Sequence, residues 1–219
     1  GQEAKSALEE SREKIVKSIG ANSKEIIFTS GGTESDNLAL IGVAFANRSK
    51  GKHIITSKIE HHAILDTCKW LEKNEFSVTY LPVDKYGFVN LEELESSIKK
   101  DTILVSVMHA NNEVGTIEPI ADIGKICKEH EIYFHTDAVQ TFGKIPIDVK
   151  HTDLLTISSH KIYGSKGVGA LFVKSGTKIN PIIHGGGHEF GLRSGTENVA
   201  GIVGFAKASE LAKKEMKYE

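Results

Sequence analysis

In the stretch SSHKIYGSKGVGALFV, residues 158–173, a lysine stands beside Ser158 and His160 between two apolar runs, and Gly164, Gly167 and Gly169 lead into the second run. A lysine that forms a Schiff base must present a free amine, which cationic or desolvating neighbours favour by depressing its pKa. Lys161 has such a setting; the bland reading is a solvated surface charge. Asp137, in HTDAVQ, supplies a complement. A carboxylate held against a pyridine nitrogen keeps that nitrogen protonated and makes the ring a better electron sink. Gln140 follows one turn later. The competing role for Asp137 is a helix cap. His61, after TSKIE, could lie against a flat ring and shuttle a proton, or be structural. Asn112, in HANNEVG, offers an amide to a phenolic or carboxylate oxygen, although Asn-Asn before a glycine also makes a turn.

Two glycine-rich stretches add anion chemistry. FTSGGTES reads as a strand, a glycine pair and a helix start. There Gly32 and Thr33 would let backbone N–H groups and the helix dipole meet a phosphate. The alternative is a capping box, Thr33-x-x-Asp36, with no ligand. The spacing excludes a Walker loop, and the dinucleotide fingerprint G-x-G-x-x-G is absent. HGGGHEFGLRSGTEN, 184–198, carries two histidines and a glutamate, but His184 and His188 are separated by three glycines and cannot form a helical metal pair. No metal is expected; a mobile loop carrying Arg193 and Thr196 fits anion or phosphate recognition better. The two cysteines, Cys68 and Cys127, lie inside helical patterns and read as small buried hydrophobes.

The elements that must position these groups alternate. Apolar spacing predicts helices over 2–19, 33–50, 61–74, 90–100, 119–131 (starting at Pro119) and 196–217. Short β-branched runs predict strands at 25–30, 52–58, 76–83, 102–108, 132–137, 153–158 and 168–173. The strand runs are continuous rather than alternating, which predicts burial on both faces. Strand–helix alternation implies right-handed crossovers and a three-layer αβα domain with a mostly parallel sheet. The last two strands have no room for a helix between them and should run as an antiparallel pair. In such sheets ligands bind beyond the carboxyl ends of the strands, where the residues named above collect.

The chain has 219 residues, 39% apolar and 26% charged, with a net charge of −2, so neither nucleic acid nor an anionic membrane surface is an expected partner. No apolar run reaches the length of a membrane span and no signal peptide opens the chain, so a cytoplasmic protein is the expectation.

Taken together and in order, FTSGGTESDNLAL, TSKIEHHAILDTC, ILVSVMHANNEVGTIEPI, HTDAVQTFGKIPID, SSHKIYGSKGVGALFV and HGGGHEFGLRSGTENV resemble the pyridoxal-phosphate-dependent cysteine desulfurases of the class-V aminotransferase family. More narrowly they resemble the branch that feeds iron–sulfur cluster and thionucleoside assembly. The resemblance implies that Lys161 carries pyridoxal 5'-phosphate, that Gly32, Thr33, Ser158 and His160 hold its phosphate, and that Asp137 pairs with the pyridine nitrogen. It implies that Gln140 reaches the ring oxygen, that His61 stacks on the ring and moves protons, and that Asn112 sits near the ring oxygen and the substrate carboxylate. Thr196 would contact the cofactor phosphate of a partner subunit, which implies a homodimer. The implied substrate is L-cysteine, the implied partner a sulfur-acceptor or scaffold protein of iron–sulfur assembly, and the implied fold the fold-type-I, aspartate-aminotransferase-like large domain.

Two departures qualify that expectation. The family's sulfur-accepting cysteine belongs to a loop of a smaller domain beyond residue 219, and the opening strand and turn that precede GQEAKSALEE in the family are missing. The expectation is therefore a trimmed large domain, residues 1–219, that does not complete desulfuration alone. The alternatives are another fold-type-I enzyme, such as an aminotransferase or a selenocysteine or cysteine lyase, and a non-catalytic docking scaffold.

Overall fold

The computed structural model describes residues 1–216. Its strands are β1 (Ile26–Thr29), β2 (His53–Ser57), β3 (Ser77–Leu81), β4 (Thr102–Ser106), β5 (Tyr133–Asp137), β6 (Leu154–Ser158) and β7 (Gly169–Val173). Its α-helices are α1 (Gln2–Ile19), α2 (Gly32–Ala46), α3 (His62–Glu72), α4 (Leu91–Ser96), α5 (Ile120–Glu129) and α6 (Val199–Glu215). The strands form one sheet in the order β1-β7-β6-β5-β4-β2-β3. The neighbours from β6 through β3 are parallel, while β7 runs antiparallel to both β1 and β6. Strand β1 therefore points the same way as β2 to β6, and the carboxyl ends of all six open onto one edge.

Burial follows the continuous apolar runs. Every residue of β1, β2, β4, β6 and β7 is buried. Strand β3, one of the sheet's two edges, departs from the expectation: only Leu81 of it is fully covered, whereas β1 at the other edge is buried throughout. Successive side chains face opposite layers. Ile27, Ile54, Leu104, Leu154 and Leu171 pack with α2 and α3. Phe28, Leu155, Ile157 and Phe172 meet α1 and α6, and Ile55, Val105 and Phe134 meet the α4–α5 side. Each such side chain contributes roughly 1.5–3 kcal/mol on burial, so this two-sided patterning fixes the three layers.

Helix ends have local causes. Helix α1 stops at Gly20, whose φ of 74° continues the chain left-handed while its N–H bonds the Val16 carbonyl. Helix α2 ends at Ala46 rather than 50 because the Asn47 amide turns back to donate to the Val43 carbonyl and across to that of Lys178. Helix α4 is shorter than expected, closing at Ser96. Pro119 is the residue before α5 rather than its first. Helix α6 starts at Val199, three residues later than predicted, with the Asn198 side chain accepting from the Gly201 N–H, and the predicted limit at residue 217 lies outside the described residues. No helix among the described residues is long and apolar enough to cross a membrane.

Candidate active site

The edge formed by the strand ends carries a cleft of about 270 Å³. Gly32 and Thr33 open α2 on one side of it, and Ser158, His160 and Lys161 follow β6 on another. Asp137, Val139 and Gln140 follow β5, while His61 precedes α3 and Asn112 lies in the loop after β4. Asp36 and Met108 complete the lining.

The start of α2 is shaped for close approach. A Cβ at Gly32 would come within 2.9 Å of the Val139 side chain, so glycine lets the helix start sit against the loop after β5. No side chain caps α2, leaving first-turn N–H groups, which have no intrahelical acceptor, directed outward. The capping box Thr33-x-x-Asp36 does not form. The Glu34 carboxylate instead accepts from the Ser30 N–H at 2.9 Å, and Asp36 is turned inward and buried.

Lys161 lies in a short 3₁₀ turn, Ser159–Ile162, closed by Tyr163 at a left-handed φ of 61°. The turn holds the Ser158 hydroxyl and the His160 Nδ1 2.9 Å apart. Burial, then the positive charges of Lys161 and Lys166, hold the His160 pKa below its ordinary value. This end of the cleft therefore offers a hydroxyl, an imidazole and a lysine beside the open helix N-terminus.

At the other end Asp137 is 6% exposed and accepts from the Val139 N–H at 2.9 Å. A tight turn follows, not a helix, so its contact caps that turn while its carboxylate lines the cleft. Burial raises its pKa; the Val139 N–H and the charges of His61 and Lys161 oppose that rise. His61 is the N-cap of α3, its Nδ1 accepting from the Ala63 N–H at 3.1 Å. That contact leaves the neutral ring's proton on Nε2, so the structural and the chemical reading of His61 hold together. The Asn-Asn turn is real as well, but it is built by Asn111. Its Oδ1 accepts from the Glu113 and Val114 N–H groups, and Asn112 is left exposed along the cleft.

Two side chains that the sequence did not mark hold these loops together. Buried Glu60 accepts at Oε1 from the Ser57 hydroxyl (2.6 Å) and from the Met108 N–H (3.0 Å), and the Asn111 amide donates to the Ile59 carbonyl at 2.7 Å. The segments bearing His61 and Asn112 are thus bonded through the residues preceding each. Burial pushes the Glu60 carboxyl up to about 8. No local pattern announces this role, because a glutamate after a strand ordinarily faces water. Cys68 and Cys127 are buried in α3 and α5, with burial pushing both thiols up to about 12.

Thr196 is not brought to the cleft. It lies with Arg12, Glu189 and Phe190 along a separate cavity of about 450 Å³. Arg193, expected to meet an anion, is instead engaged with Glu34: its Nε donates to Oε1 at 2.8 Å and its Nη2 to Oε2 at 3.2 Å. The glycine-rich loop is thereby tied to the first turn of α2. A second anchor, also unmarked in the sequence, pairs Arg12 with Glu189 at 2.8 and 2.9 Å between the rings of Phe28 and Phe190. Among the described residues no group of three or more His, Cys, Asp or Glu side chains stands close enough to hold a metal ion.

A family model described as aminotransferase class-V matches residues 1–219. The cysteine desulfurase IscS of Dictyoglomus turgidum is 63% identical, the match covering 100% of this chain and 56% of that protein. The cysteine desulfurase IscS of Methanosarcina thermophila is 60% identical over 99% of this chain and 54% of its own length. The chain thus spans about half the length of the curated relatives it matches. Among solved structures, a NifS-like protein superposes with a TM-score of 0.97 at 50% identity, covering 100% of this chain and 61% of that one. A structure described as SspA in complex with cysteine superposes with a TM-score of 0.92 at 46% identity, over 95% of this chain and 61% of its own.

Proposed function

The chain belongs to the aminotransferase class-V family, and from that premise we propose that it is the cofactor-binding part of a pyridoxal-phosphate-dependent cysteine desulfurase. The observation that carries this reading is the convergence on one cleft of Lys161, Asp137 and His61 with the open N-terminus of α2. The residues fit pyridoxal 5'-phosphate. A buried carboxylate sits opposite a lysine, and a glycine whose Cβ would collide with Val139 brings unpaired N–H groups to the cleft wall. Bound there, the cofactor supplies an electron sink for bond cleavage at the substrate's α- and β-carbons.

The chain's own residues do the rest. Gly32 and Thr33 present backbone donors to the phosphate, and the bonded Ser158–His160 pair presents a side-chain donor. Lys161 would offer its amine for covalent attachment and a base within the cleft. Asp137, held by Val139, keeps a negative charge against the pyridine nitrogen, and Gln140 and Asn112 donate to ring and substrate oxygens. His61, lining the cleft with Nδ1 taken by the Ala63 N–H, would move a proton at Nε2. The substrate carried over from the relatives' names is L-cysteine, whose sulfur would pass to an acceptor thiol as a persulfide, leaving alanine, and then to an acceptor or scaffold protein of iron–sulfur cluster or thionucleoside synthesis. A cytoplasmic homodimer, with Thr196 reaching the partner's cofactor phosphate, belongs to the same proposal; Thr196 stands outside the cleft of its own chain, as that role requires.

The experiment is to mix the protein with pyridoxal phosphate, reduce with borohydride and map the modified peptide. Label on Lys161 is expected. Label on another lysine, or none, would overturn the assignment and favour a docking scaffold that keeps only the fold.

A further inference from the structure

Asp36 lies on α2, is 1% exposed and lines the cleft, and its Oδ1 has no hydrogen-bond partner among the described residues. The nearest base is His135 on β5, whose Nε2 is 3.6 Å from that oxygen, too far for a hydrogen bond. Both nitrogens of this ring are already taken. Nδ1 meets the Ser106 hydroxyl at 2.8 Å, and Nε2 meets the Thr156 hydroxyl at 2.9 Å. Hydroxyls can serve a neutral ring at both positions, as donor to one nitrogen and acceptor from the other. Burial drives the His135 pKa down to about 3, so the contact with Asp36 is no ion pair despite the short distance.

The Thr156 hydroxyl favours the charged form of Asp36, but burial outweighs it, and the remaining charged groups around Asp36 are acidic: Asp137 on β5 and Glu60 after β2. Two like carboxyls in a dry site do not both ionise. Asp137 has what Asp36 lacks, namely the Val139 N–H at 2.9 Å and the charges of His61 and Lys161.

We propose that Asp36 is a positioning residue for Asp137, holding a buried proton so that the negative charge of the cleft floor resides on Asp137. As a neutral neighbour it keeps Asp137 from being pushed toward protonation. The inference deepens the proposed function, because a pyridine nitrogen needs the charged form of Asp137. It can be decided on the 219-residue chain without cofactor, so a failure here is separate from a failure to bind pyridoxal phosphate.

The test is carbon-13 NMR of the chain labelled at the aspartate carboxyl carbons and titrated across the neutral range. One carboxyl should resonate in the protonated position at pH 7 and be lost in Asp36→Asn, while the Asp137 resonance stays at the ionised position. The Asp137 titration midpoint should be the same in Asp36→Asn as in the parent, because one neutral group replaces another. An ionised Asp36 at pH 7, or an Asp137 midpoint that falls by a full pH unit in Asp36→Asn, would overturn the proposal. An imidazolium at His135 in the nitrogen-15 spectrum would also overturn it. Should Asp36→Asn fail to fold, Asp137→Asn decides: with its like-charged neighbour gone, the midpoint of the protonated carboxyl must fall, and an unchanged midpoint would overturn the proposal.

Discussion

Replacing Glu60 by glutamine should flatten the dependence of stability on pH. In the folded chain burial carries this carboxyl from 4.5 to about 8, against hydrogen bonds from Ser57 and Met108 that favour the charged form. The folded state therefore holds the proton more tightly than the unfolded chain. The stability this confers is fully present below about pH 4.5 and is lost as pH rises through about 8. At about 1.4 kcal/mol per pH unit, the whole span corresponds to at most roughly 5 kcal/mol, and relaxation around the charge makes about 2–5 kcal/mol the expected measurement. Glutamine keeps the oxygen that accepts from Ser57 and Met108 and cannot ionise, but it places an amide where Oε2 has no partner. That leaves it equal to the parent, or about 1 kcal/mol weaker, near pH 5. By pH 9 the order should reverse. Urea unfolding of both proteins at pH 5, 7 and 9 measures this directly. Because Asp36 and Asp137 are present in both, the difference isolates Glu60. Curves that remain parallel from pH 5 to 9 would refute the reasoning.

Other expectations concern the site and its supports. Arg12→Ala leaves the buried Glu189 without its partner, which should cost about 3–5 kcal/mol; a loss below about 1 kcal/mol by thermal or urea unfolding would contradict the anchoring role. Asp137→Asn should lower affinity for pyridoxal phosphate at least about tenfold while changing stability by about 1 kcal/mol or less, since it removes a buried charge and little volume; fluorescence titration at unchanged affinity would count against the charged-floor reading. Cys68 and Cys127, buried and with thiols pushed up to about 12, should resist a thiol reagent until the chain unfolds; rapid labelling of the native protein would show that one of them is accessible. For the same reason the 219-residue chain, given cysteine, cofactor and a reductant, should release no more sulfide than a cofactor-only blank. Release above the blank that is abolished in Lys161→Ala would refute that expectation.

Much of the fold was legible because its signals are local. The α1 pattern ran unbroken to Gly20, where the left-handed conformation required of the terminating residue suits glycine, and each strand was a short β-branched run between turn residues. The antiparallel β6–β7 pair followed from a connection too short for a helix. What remained hidden depends on partners distant in sequence: the place of β7 beside β1, the end of α2 at Asn47, and the half-exposed edge at β3. The candidate site divides the same way. Lys161, Asp137 and His61 were found because strand ends gather polar residues at one edge. Asp36 read as a capping residue because helix periodicity marks a face without saying which carboxylate beside the glycine pair reaches back; Glu34 does so. Arg193 read as an anion ligand because its carboxylate partner lies 159 residues away.

The antiparallel strand between β1 and β6 has a kinetic consequence. Ile26 pairs with Phe172 and Thr29 with Gly169, and α1 packs mainly against α6. The first thirty or so residues consequently find their sheet neighbour and helix partner only once the last third of the chain is available. Closing so long a loop raises contact order and slows folding. During synthesis the amphipathic α1 and the apolar β1 must wait, exposed, while β2 to β6 assemble. The end of the cleft at the first turn of α2, built on the turn that leaves β1, should therefore be among the last parts of the molecule to form.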